Sequence, residues 1–118
     1  MRVDTRPRKR NAPRPAEKSA PGFLQWLRGR ECVMAFNCDG KIEAAHVDHA
    51  GDKGMGTKAR DSAAIPMCSK HHREQHSVGW PMFQRRYGNF DALSVADQYW
   101  RNWPGRMAWE RKLEAKHG

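Results

Sequence analysis

The stretch Cys68-Ser69-Lys70-His71-His72-Arg73-Glu74-Gln75-His76 constrains this chain more than any other, because four of its nine residues can bind a transition metal. On a helix, His72 and His76 stand one turn apart on one face. Cys68 and His71, with two residues between them, have the spacing of a turn that closes on zinc from one side. The stretch therefore offers half of each of two metal sites. The other halves must come from upstream, where the chain has Cys32, Cys38, His46, Asp48, His49 and Asp61.

Cys32, Cys38, Cys68 and His71 make a Cys₃His set, which suits tetrahedral Zn²⁺ and leaves no coordination position open. Thiolates favour zinc over magnesium or calcium. The five residues between Cys32 and Cys38 are a wider gap than the usual zinc knuckle. A metal staple is also what the composition calls for. With 118 residues, 38% of them hydrophobic, and a mean hydropathy of −0.97, the apolar core is expected to be thin. Three cysteines cannot all pair as disulfides. No apolar run resembles a signal peptide or approaches a membrane span, so a cytoplasmic chain with reduced, metal-binding cysteines is expected.

Five of the six histidines lie between residues 46 and 76, which core packing alone does not explain. His72 and His76 by themselves would be an ordinary solvated helix face; a strand histidine and a glycine-rich basic loop nearby change that reading. Phosphodiester hydrolysis needs a base to deprotonate water and a cation to stabilise charge at phosphorus and on the leaving oxygen. His46, on a strand facing the helix, is the candidate base. His72 and His76 are the candidate cation ligands. Asp61 is either a third ligand or the group that orients His46.

The net charge of +9 points to a polyanion, most simply nucleic acid. Residues 1–20 carry seven Lys or Arg against two Asp or Glu, and residues 1–21 hold four of the seven prolines. That segment is expected to be a disordered basic arm lying along phosphates. Phe23, Trp26 and Leu27 mark a short amphipathic helix. Cys32–Phe36 and Lys41–Val47, joined through Asp39-Gly40, read as a β-hairpin with a cysteine at either side of its knuckle. Residues 48–64 form a long loop, Ile65-Pro66-Met67 returns to the core, and the histidine helix ends near Gly79. Trp80–Tyr87 is a further short helix. The capping-box spacing Ser94–Asp97 starts another that runs to about Asn102, and a last one follows Pro104. Trp100, Trp103 and Trp109 are assigned to core packing rather than to base stacking.

Together, the cysteine pair, Ala45-His46-Val47, Gly54-Met55-Gly56-Thr57-Lys58, Asp61 and Cys68-x-x-His71-His72-x-x-x-His76 resemble an HNH endonuclease, in particular the phage-type Ref-like and YbcO-like group. The resemblance covers about residues 30–80. It implies a small ββα-metal (treble-clef) core, placed over 22–80 of an α+β chain; the basic arm at 1–21 and the added helices at 81–118, read from composition and pattern, lie outside it. It further implies a structural zinc and a DNA nuclease using Mg²⁺, Mn²⁺, Ni²⁺ or Zn²⁺, with no organic cofactor and no membrane partner. His46 matches the family's general base, Asp61 the position of its middle asparagine, His72 its last metal-binding histidine, and His76 an extra histidine one turn on. Ala45 stands where many members place an acidic or histidine ligand, which leaves the third ligand open among Asp61, Asp48 and His49. Lys53, Lys58 and Arg73 are the expected phosphate contacts. The competing reading is a zinc-stabilised nucleic-acid-binding module without catalysis.

Overall fold

The computed structural model describes residues 16–47 and 60–117, which form an α+β arrangement of two strands and four α-helices. The chain enters through a single 3₁₀ turn, Ala16–Lys18. Helix α1 (Pro21–Arg28) begins with a proline at its first position, whose fixed φ and missing N–H suit a helix start, and it buries Phe23 and Leu27 one turn apart. Ala20, just before it, is also buried. The folded part therefore reaches back into the segment expected to be a free arm, while residues 1–15 lie outside the described residues.

Strands β1 (Ile42–His46) and β2 (Ala64–Cys68) pair antiparallel, with Ala44 opposite Pro66 and His46 opposite Ala64. The expected hairpin partner, Cys32–Phe36, is not a strand. Ala35 and Asn37 adopt positive φ of 63° and 54°, and Gly40 has φ 91°, so the backbone coils instead of pleating. The gathering of the cysteine sulfurs explains the difference. In extended chain Cys32 and Cys38 would stand about 20 Å apart, whereas both sulfurs lie against one histidine ring. Only Val33 reaches the sheet, donating its N–H to the outward carbonyl of Pro66 at 3.0 Å.

Helix α2 (Ser69–Arg86) follows β2 without a linker and breaks at Gly79, whose φ of 84° and ψ of 158° divide it into a histidine-bearing half and a Trp80–Arg86 half. Helix α3 (Ala92–Asn102) starts two residues before Ser94. Asp91 caps it by accepting from the N–H groups of Leu93 and Ser94, so the Ser94–Asp97 spacing falls within the first turns and not at the cap. Helix α4 (Arg106–His117) follows Pro104. No helix among the described residues is long and apolar enough to cross a membrane.

The period of two along the strands divides the core. Ala45, Val47, Ile65 and Met67 pack with Trp80 and Phe83 of α2 and with Ala92 and Ala96 of α3. Ala44 and Ala64 face the other way, toward Phe23 and Leu27 of α1. Around Phe23 gather the tryptophans: Trp100 meets it edge-on at 5.1 Å, Trp103 lies at 5.6 Å, and Trp109 is edge-on to Trp100 at 5.0 Å. These partly buried rings pack against the core, as expected, and dock the C-terminal helices onto α1.

Candidate functional site

Four ligand atoms, the sulfurs of Cys32, Cys38 and Cys68 and a ring nitrogen of His71, all lie within 4.8 Å of one another. The knuckle supplies two of them, the end of β2 the third and the first turn of α2 the fourth. His71 Nδ1 is 3.7 Å from Cys32 Sγ, 3.9 Å from Cys38 Sγ and 3.1 Å from Cys68 Sγ. Ligands on a tetrahedral ion at ordinary metal–sulfur and metal–nitrogen distances would stand about 3.5 Å apart, so the set fits one ion. Cys32, Cys68 and His71 are buried and Cys38 is exposed.

The sulfurs differ in character. Burial would raise the Cys68 thiol, but the backbone N–H groups of His71 and Asp39 donate to its sulfur and bring it down to about 6. Thiolate is the form that binds metal. Cys38 is pushed up to about 11 by desolvation within the cluster and by Cys32 beside it. The tight turn that delivers these groups explains Gly40: a Cβ there would stand 2.2 Å from Ser69 Oγ.

The remaining candidates fall into two pairs on opposite sides of the sheet. His46 shares the parity of Ala44, so its side chain leaves β1 on the α1 side and not toward α2 as expected; the strand's period of two decides this. There Nε2 donates to Asp61 Oδ1 at 2.9 Å. Asp61 is only 5% exposed, and its Oδ2 accepts from the Ala20 N–H at 2.7 Å. A carboxylate accepts only, so Nε2 is the nitrogen that donates, and in a neutral ring the lone pair is on Nδ1. The backbone at His46 is pinned from the α2 side, where Trp80 Nε1–H donates to its carbonyl at 3.1 Å.

On the other face, Glu43 shares the parity of Ala45 and meets α2. Its Oε1 accepts from His72 Nδ1 at 2.6 Å. The far nitrogen of that ring, Nε2, lies 3.2 Å from Nε2 of His76. Two neutral ring nitrogens at that distance need a proton or a cation between them. Two histidine ligands of one tetrahedral ion would stand about 3.3 Å apart, so this pair fits a shared cation, with Glu43 behind it in the position that fixes a ligand ring.

Glu43 was missed by sequence reading. The signal was present, since it is the acidic residue on a strand face otherwise carrying Ala45 and Val47, two positions before the alanine that stands where an acidic or histidine ligand is common. Asp61 sits with His46 and not beside His72 and His76, and the Cys₃His set is the one group of three or more close ligand atoms among the described residues. Arg73 is exposed on α2. Asp48, His49, Lys53 and Lys58 lie outside the described residues.

Comparison with known proteins gives the chain its family. A curated relative, the uncharacterized protein YdfU of Escherichia coli (strain K12), is 33% identical over 69 residues, 57% of this chain; the match spans only 18% of that protein's length. No solved structure matches the chain. A family model described as "Protein of unknown function (DUF968)" matches residues 1–97, a span that takes in the cysteine knuckle, both strands, the histidine helix and the start of α3. The chain belongs to the DUF968 family.

Proposed function

We propose that this chain is a metal-dependent endonuclease of the HNH type, hydrolysing DNA phosphodiester bonds on a ββα-metal core stapled by zinc. One observation carries the reading: two histidines, His46 and His72, are each backed by a carboxylate on one ring nitrogen, and the far nitrogen of His72 meets that of His76. A module that only binds nucleic acid requires neither arrangement. The order β1, β2, α2, closed by the knuckle, is the one a ββα-metal core needs.

Asp61 holds His46 with Nε2–H fixed. Because this ring leaves β1 on the α1 side and the His72–His76 pair lies on the α2 side, the scissile phosphate would lie across the end of β1, where Nδ1 takes the proton from the attacking water. A base positioned in this way typically contributes about 10²–10⁴-fold to rate. Glu43 holds His72 so that its Nε2, with that of His76, would ligate the divalent cation. When bound, that cation stabilises the charge at phosphorus and on the leaving oxygen. Cys32, Cys38, Cys68 and His71 would hold the zinc, whose role is to fix β2 against α2. Arg73 on its exposed face, Lys53, Lys58 and the basic arm would contact phosphate.

The test is cleavage of supercoiled and single-stranded DNA by the full chain with Mg²⁺, Mn²⁺, Ni²⁺ or EDTA. Wild-type protein is expected to cut with at least one of the metals and not with EDTA. His46→Ala is expected to keep the zinc and the DNA affinity while losing most of the cleavage. Wild-type rates in His46→Ala would overturn the assignment and favour the binding module.

A further inference from the structure

The hydrogen bonds that hold Asp61 lead out of the nuclease core. While its Oδ2 accepts from the Ala20 N–H, its own backbone N–H donates to the Lys18 carbonyl at 3.0 Å. Lys18–Ala20 is thus tied to Asp61 through side chain and backbone together. The same short segment is gripped from its other side by the last helix. Trp109 Nε1–H donates to the Ser19 carbonyl at 2.8 Å, across 90 positions of sequence. The Trp109 ring is itself fixed edge-on to Trp100, and Trp100 to Phe23 of α1.

We propose that Trp109 is a positioning residue for His46, acting through Ser19, Ala20 and Asp61. This rests on the reading of His46 as the base. The segment Ser19–Ala20 lies between the 3₁₀ turn and α1. The Ser19 N–H is tied to the Ala16 carbonyl and the Ala20 carbonyl to the N–H groups of Phe23 and Leu24, while the peptide unit between them is held by Asp61 on one side and the indole on the other. Fixing the Ser19 carbonyl fixes the Ala20 N–H that follows it in the same peptide unit. That N–H sets the Asp61 carboxylate, and the carboxylate sets which nitrogen of His46 carries the proton. The C-terminal helices, which lie outside the part of the chain that resembles a nuclease, thereby acquire a place in the reaction.

Trp109→Phe keeps an aromatic ring beside Trp100 while removing the indole donor and part of the ring volume, whose packing cost is read separately as thermal stability. At saturating protein, the single-turnover cleavage rate is expected to fall about two- to ten-fold, the range for one lost hydrogen bond, with DNA affinity and bound zinc unchanged. Nitrogen NMR of the imidazoles is the second readout. In the wild-type chain His46 is expected as the Nε2–H tautomer, and in Trp109→Phe as a mixture. A wild-type His46 protonated on Nδ1 would overturn the proposal without any variant. So would Trp109→Phe with unchanged rate and tautomer, or with equal losses of zinc, affinity and rate, which would mark a purely structural role. Failure of the nuclease reading looks different: His46→Ala would then cut like wild type.

Discussion

The two histidine–carboxylate pairs make separable predictions, because their carboxylates differ in surroundings. Glu43 touches a histidine that reaches toward another histidine, so Glu43→Ala should loosen the His72 ring and weaken cation binding about 10- to 100-fold, the usual range for the partner of a ligand. Calorimetric titration of the zinc-loaded chain with Mn²⁺ measures it, and an unchanged affinity would remove Glu43 from the site. A third carboxylate serves stability. The Glu74 carboxyl is held below its ordinary range by the Tyr87 hydroxyl, which donates at 2.6 Å, and by the Arg86 guanidinium at 2.9 Å. A depressed folded-state pKa stabilises above the unfolded value, and the effect is lost as pH falls through the depressed one. Glu74→Gln should therefore cost about 1 kcal/mol at pH 7, with the gap to wild type closing in urea titrations as pH falls below the ordinary glutamate range.

Elements that answer to local rules were legible in the sequence. Helix α1 follows from the spacing of Phe23 and Leu27, the break in α2 from Gly79, and the Cys₃His set from residue type and spacing. The knuckle was misread because the short apolar run Cys32–Phe36 before an Asp-Gly turn looks like a strand, while the requirement that two sulfurs meet one imidazole overrides pairing. The direction of His46 was missed for a related reason: β1 is covered on both faces, so its pattern does not say which side is which. The anchoring of Asp61 by a backbone N–H at residue 20 has no sequence signature at all. The knuckle's geometry carries its own test. In Gly40→Ala the new Cβ would lie 2.2 Å from Ser69 Oγ and 2.9 Å from its Cβ, at a φ of 91°. Strain of about 1–3 kcal/mol is expected, and because Asp39 N–H donates to Cys68 Sγ next door, zinc retention against a chelator should fall along with thermal stability.

At the scale of the whole molecule, the Cys₃His cluster and the basic N-terminal segment each carry a prediction. A core split between two faces of a two-stranded sheet leaves the Cys₃His cluster to join β2, α2 and the knuckle. Stripping the metal with a chelator should lower the thermal midpoint by more than about 10 °C, and a midpoint insensitive to chelator would mean that no ion is bound there. Deleting residues 1–15, which hold six of the basic residues, leaves Lys18–Ala20 against Asp61 in place. It should flatten the salt dependence of DNA binding, each lost phosphate contact reducing the log–log slope by about 0.9, without slowing cleavage at saturating protein. Identical slopes would show that the arm does not touch phosphate.

One small feature of the sheet has a bearing on how such a chain behaves when crowded. A two-stranded sheet has two open borders, and an open border invites another chain to add a strand and propagate aggregation. On the outer border of β2 the middle residue is Pro66, which has no N–H to offer, and its carbonyl is already taken by Val33. A foreign strand arriving there finds neither donor nor acceptor at the centre of the template. The same bond that ties the cysteine knuckle to the sheet thus also insulates it, and a chain that lost the knuckle would become sticky as well as unstable.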